Sequence, residues 1–77
     1  MSLAELRAER RAVRRRLART YNDLYGYRQN CDWDNAAHAN LEYGELLRED
    51  RELRDLIRQA DLECAQIEKL LEPMGNF

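Results

Sequence analysis

Apolar residues return along most of this chain in steps of three and four, which places them on one face of an α-helix. The first stripe is Leu3, Leu6, Val13, Leu17, Leu24 and Tyr27, with the polar Arg10 and Thr20 in two slots of the same face. The second is Ala36, Ala39, Tyr43, Leu46, Asp50, Leu53, Ile57, Ala60, Cys64, Ile67 and Leu71. Between them Gln29-Asn30-Cys31-Asp32-Trp33-Asp34-Asn35 is polar and rich in side chains that bond their own backbone, so it predicts a tight connection. Ser2 and Glu5 have the spacing of a capping box, and Asp32 or Asp34 is the expected N-cap of the second helix. Pro73 and Gly75 are expected to end that helix. The expected layout is one domain, residues 1–77: helix one over about 3–29, a connection over about 30–34, helix two over about 35–72 and a short tail at 73–77.

A short connection makes two helices antiparallel neighbours. The expected fold class is therefore all-α: a two-helix hairpin with a longer second helix, a rod of roughly 57 Å. With the turn centred near residue 32, positions whose numbers sum to about 65 lie side by side. Leu24 then meets Leu41 and Tyr43, Leu17 meets Leu46 and Leu47, Val13 meets Leu53, and Leu6 meets Ala60. Helix one runs out opposite about residue 62, which leaves Ile67, Leu70 and Leu71 without a partner, with Met74 and Phe77 beyond them. Leucines 47, 56 and 70 widen the apolar face beyond a two-stranded seam. A chain this short buries a modest fraction of its surface. Overhang and wide face together predict a homodimer in a four-helix bundle, against the alternative that the tail folds back or frays.

Charged residues make up 36% of the chain against 44% apolar, with one proline and three glycines, the profile of salt-laced helices rather than disorder. The arginines are concentrated: seven of the thirteen residues from Arg7 to Arg19. Residues 1–28 carry a net charge of +5 and residues 29–77 a net charge of −7, which reproduces the overall −2. Taking Leu17 as zero, Arg10, Arg14, Arg7, Arg11 and Arg15 spread over one flank of the first helix, while Arg16 and Arg19 lie round the other side. Glu42, Glu45, Glu49, Glu52 and Glu63 gather on one flank of the second, and Asp55 comes level with Arg10 in the expected register. The first reading of the basic flank (Arg7, Arg11, Arg14, Arg15) is an electrostatic match to the acidic half and a solvated face; nucleic-acid contact is the second. A membrane surface is disfavoured, because the apolar stripe beside the arginines is needed for the core. No run approaches the roughly 18 apolar residues of a membrane span. The N-terminus lacks the apolar core of a secretory signal, so a cytoplasmic protein with reduced thiols is expected. Twelve of thirteen basic residues are arginine, which suggests a GC-rich bacterial or phage genome.

Chemistry is sparse. His38 is the only histidine, and no motif joins it to Cys31, seven residues away. Two cysteines and one histidine do not make a four-ligand metal site at known spacings. Cys31 and Cys64 are expected roughly 45–50 Å apart along the second helix, too far for a disulfide within one chain. The acids Glu49, Asp50, Glu52 and Asp55 lack the Glu-x-x-His that a di-metal bundle needs. Phosphate-binding loops and nucleophile elbows are absent. No catalytic residue, cofactor or metal is expected, and the chain is not expected to be an enzyme.

Aromatic residues are placed unevenly. Five of six fall between residues 21 and 43: Tyr21, Tyr25, Tyr27, Trp33 and Tyr43. Tyr27 and Tyr43 belong to the core stripes, whereas Tyr21, Tyr25 and Trp33 could form a partner site at the closed tip or a small aromatic core of their own. The functional expectation is a non-catalytic interaction module: a small regulator or inhibitor in the style of phage- and mobile-element-encoded proteins, which dimerises and binds a host protein. A nucleic-acid-associated regulator using the first helix, or a structural coiled-coil subunit, is the alternative.

Overall fold

The computed structural model describes the backbone of residues 1–75 and the side chains of residues 1–71. Two helices, α1 (Leu3–Gln29) and α2 (Trp33–Gly75), lie antiparallel in a rod measuring 69 × 18 × 14 Å. The helical periodicity accounts for the packing. Leu6, Val13, Thr20 and Leu24 are buried on α1, and Ala36, Ala39, Leu46 and Leu53 on α2. The intervening stripe positions Leu3, Arg10, Leu17, Tyr27, Tyr43, Asp50, Ile57 and Ala60 are half-buried. Leu6, Val13, Leu46 and Leu53 form one cluster, with Leu17 and Ile57 packed against it. Nearer the turn Leu24, Ala36 and Ala39 form a second, closed by Tyr27. The small alanines let the helices approach where the chain reverses.

The connection is shorter than the sequence reading: only Asn30, Cys31 and Asp32 separate the helices, and Trp33 opens α2 instead of sitting in the loop. Its geometry follows from two requirements, ending one helix and starting another. The Cys31 amide donates to the Arg28 carbonyl at 3.2 Å and the Asp32 amide to the Tyr27 carbonyl at 2.8 Å, the paired bonds of a Schellman termination. That motif needs a left-handed residue, and Cys31 supplies it at φ 55°. Asp32 then caps α2. Its carboxylate accepts from the Asn35 side chain at 2.7 Å and, at the longer distance of 3.5 Å, from the Asn35 amide. Its carbonyl accepts from the Ala36 amide at 2.9 Å. At the other end Ser2 accepts from the Glu5 amide at 3.1 Å, as the capping-box spacing requires.

A left-handed residue with a Cβ costs about 1–2 kcal/mol relative to glycine. Cys31→Gly is therefore expected to stabilise the hairpin by about 1 kcal/mol, read as a rise in the midpoint of thermal unfolding, with unchanged helical circular dichroism at low temperature. A fall in the midpoint would show that the thiol makes a contact in solution that this geometry lacks.

The short turn also corrects the register. With the reversal centred on Cys31, facing positions sum to about 62. Leu41, expected against Leu24, is 67% exposed, and Ala36 and Ala39 take its place. Arg10 pairs not with Asp55 but with Asp50, its Nε donating to Oδ1 at 2.9 Å, while Asp55 takes the neighbouring Arg54. The wide apolar face resolves into a narrow seam, with Leu47 and Leu56 left exposed on its two flanks.

α1 begins opposite about residue 59, so more than a third of α2 projects as a single helix. Leu62, Ile67, Leu70 and Leu71 are all exposed there. Cys64, expected in the core, is exposed for the same reason: its stripe has outrun the helix that would cover it. α2 continues through Pro73 to Gly75 rather than ending at residue 72. The side chains of Met74 and Phe77 lie outside the described residues.

Candidate interaction faces

The core seam divides the hairpin lengthwise into two sides of opposite charge. On one side, open grooves between the helices are lined by Arg7, Arg10, Arg11 and Arg14 from α1 and by Arg54 and Arg58 from α2, with Asp61 the one acid among them, around Ile57 and Leu62. The same side continues toward the turn as a groove of Arg14, Leu17, Ala18, Tyr21, Tyr43 and Leu47. On the other side one groove is lined by Glu9, Glu49 and Glu52 around Leu6, Leu53 and Leu56, and another by Asp23, His38 and Glu42 beside Tyr27. This two-sidedness is a consequence of helical spacing. Arg7, Arg11, Arg14, Ala18, Tyr21 and Tyr25 follow one another in steps of four and three, so they form a second stripe parallel to the core stripe and displaced to its flank. Arg54 and Arg58, one turn apart, continue the basic side onto the acidic helix; little in the sequence points to them, because the flanks of α2 are marked by its more numerous acids.

The arginines divide into two groups. Three cross to α2: Arg10 to Asp50, Arg7 to Asp61 at 3.3 Å and Arg16 to Glu42 at 3.5 Å. The Arg7 and Arg16 pairs are about half exposed and contribute about 0–1 kcal/mol each. The Arg10–Asp50 pair is different. Both side chains occupy core-stripe slots and are only 26% and 20% exposed, so water screens them less and each depends on the other. Of the basic flank, Arg11, Arg14 and Arg15 form no ion pair among the described residues, which leaves their donors facing solvent.

The aromatic residues near the turn separate likewise. Tyr21 lies against Tyr43, ring centroids 6.0 Å apart and planes tilted by 49°, so half of its surface is committed to the hairpin. Tyr25 and Trp33 are 60% and 64% exposed and stack on no other ring among the described residues. Tyr27 closes the alanine cluster. The three tip residues thus form a loose aromatic end rather than a packed core.

Other chemistry stays dispersed. His38 and both cysteines are exposed, and no group of three or more His, Cys, Asp or Glu residues that could hold a metal ion occurs among the described residues. No described helix is long and apolar enough to cross a membrane. These grooves are shallow and open to solvent. The architecture is that of an antiparallel helical hairpin presenting surfaces, not a pocket. No family model, no curated protein and no solved structure matches the chain.

Proposed function

We propose that the protein is a non-catalytic protein–protein interaction module that works as a homodimer. It acts as a small regulator or inhibitor of the phage and mobile-element kind and engages a host protein in the cytoplasm. The observation that carries this reading is the exposure of Tyr25 and Trp33 at the closed end of a rigid hairpin. Aromatic residues left in water on stiff helices bind a partner at little conformational cost, because their backbone is already fixed and each has two rotors. The supporting observation for a dimer is the projecting end of α2 with Ile67, Leu70 and Leu71 in water, where four large apolar side chains, counting Leu62, lie within ten residues.

Tyr25→Ala and Trp33→Ala are expected each to weaken partner binding by roughly 30-fold or more, the scale of an aromatic hot spot, with helical content and mass unchanged. The measurement is quantitative co-purification of tagged wild-type and variant protein from a bacterial lysate. An identical set of captured proteins at identical yield would remove the aromatic end from the reading.

One observation favours a second reading, contact with nucleic acid: Arg7, Arg11, Arg14, Arg54 and Arg58 share one side of the molecule, and a backbone of phosphates would match that stripe. It requires binding that falls steeply with salt and is lost when Arg11, Arg14 and Arg15 become Glu. No retardation of duplex or single-stranded nucleic acid at low salt would end it.

A further inference from the structure

We infer that the projecting end of α2 docks in the arginine-lined groove of a second copy, so that two hairpins join antiparallel through their open ends. The inference rests on the dimer half of the reading above and is independent of what the aromatic end binds.

Charge decides which groove receives the stub. Residues 61–75 carry Asp61, Glu63, Glu68 and Glu72 against the single Lys69. Two grooves flank the seam at the open end of the hairpin. The one containing Glu9, Glu49 and Glu52 beside Met1 keeps a net negative charge and repels such a segment. The other contains Arg10, Arg54 and Arg58 with the single acid Asp61, around Ile57 and Leu62. Arg10 and Arg54 already meet Asp50 and Asp55, and Asp61 meets Arg7, so Arg58 is the cation left to attract the segment, over an apolar floor for Ile67 and Leu71. Like charges brought together at an interface cost several kcal/mol, so apolar contact alone does not make the two grooves equivalent.

Length fits as well. From residue 62 to residue 75 the stub extends roughly 20 Å. If the two α2 helices cross antiparallel with their two-fold axis near residue 63, facing positions sum to about 126. The stub of one copy then reaches back to about Arg51 of the other, spanning the stretch of α2 that carries Arg54, Ile57 and Arg58. Arg58 comes level with Glu68 of the second copy, and by symmetry the same pair forms twice. Each hairpin end becomes a three-helix section, the Arg groove is covered, and the aromatic ends point outward at the two tips of a long rod. The two Cys31 thiols then stand about 95 Å apart.

Charge exchange and the native cysteines test this geometry. Wild-type protein is expected to scatter light with twice the 9.2 kDa chain mass. Arg58→Glu and Glu68→Arg should each weaken self-association roughly tenfold or more, and the double variant should restore it, because the swapped charges still meet across the axis. Fluorophores on Cys31, in a Cys64→Ser background, should show no energy transfer between protomers, whereas a parallel dimer would bring them together. A monomeric wild type overturns both the dimer and this interface. A dimer with strong transfer at Cys31, failure of the double variant to recover, or a dimer insensitive to Arg58 but lost on Glu49→Arg overturns this interface alone.

Discussion

Leu46→Ala should remove a large part of the stability of the folded hairpin. Leu46 is the most buried side chain described, 2% exposed, and it sits between Leu6, Val13 and Leu53 in the main cluster. Truncating a leucine so enclosed removes its transfer energy and leaves a cavity that two straight helices cannot close, a cost of about 2–5 kcal/mol. A chain of this length has a total stability of roughly 4–11 kcal/mol. The midpoint of thermal unfolding should fall by about 10–30 °C, with denaturant midpoints falling in step. Leu41→Ala is the matched control. Leu41 is on the same helix but in water, so its truncation should change stability by less than about 0.5 kcal/mol. The pair also tests the register, because a turn centred one residue later would put Leu41 against Leu24. Equal losses from the two variants would reject the alignment described above.

The second large effect concerns the ion pair inside the seam. Asp50→Leu should destabilise the hairpin by about 1–2 kcal/mol although it adds apolar surface, because Arg10 is left half-buried without its acceptor. Arg10→Leu should cost a similar amount by stranding Asp50. The double variant Arg10→Leu/Asp50→Leu is expected to equal or exceed wild-type stability, since a leucine pair fills the slot with no charge to desolvate. Its loss should appear elsewhere. With the charged layer gone, Thr20 is the one polar slot left in the seam, and alternative registers and assemblies come within reach. The checks are thermal unfolding of all four proteins and light scattering of the double variant, which should show more than one species where wild type shows one. A double variant less stable than either single one would mean that the pair contributes net stability rather than register.

Much of the fold was legible because an α-helix has a fixed period. Every position assigned to the two stripes between Leu3 and Ala60 is buried or half-buried, including the polar slots at Arg10, Thr20 and Asp50. The stripe identified each polar slot but not its partner, because pairing across helices depends on where the chain turns. Moving the reversal about one and a half residues earlier shifts every facing pair by three, nearly a full turn, which takes Asp55 out of reach of Arg10 and brings Asp50 within it. The turn itself was hidden in Cys31, whose sequence neighbours give no sign that it takes the conformation glycine favours.

The candidate faces were half visible. The basic flank and the aromatic residues are plain in the sequence, and the overhang follows from two unequal stripes. Arg54 and Arg58 were not, since they belong to a helix that is acidic by count. What the sequence alone determined is therefore the set of side chains that share each helical face, because that depends only on spacing along one chain. Which faces meet, and so which charges are neutralised and which groove stays basic, was decided by the three-residue turn and the packing of Leu46 and Leu53 against Leu6 and Val13. Those are relations between residues some 30 to 50 positions apart, and no local period encodes them.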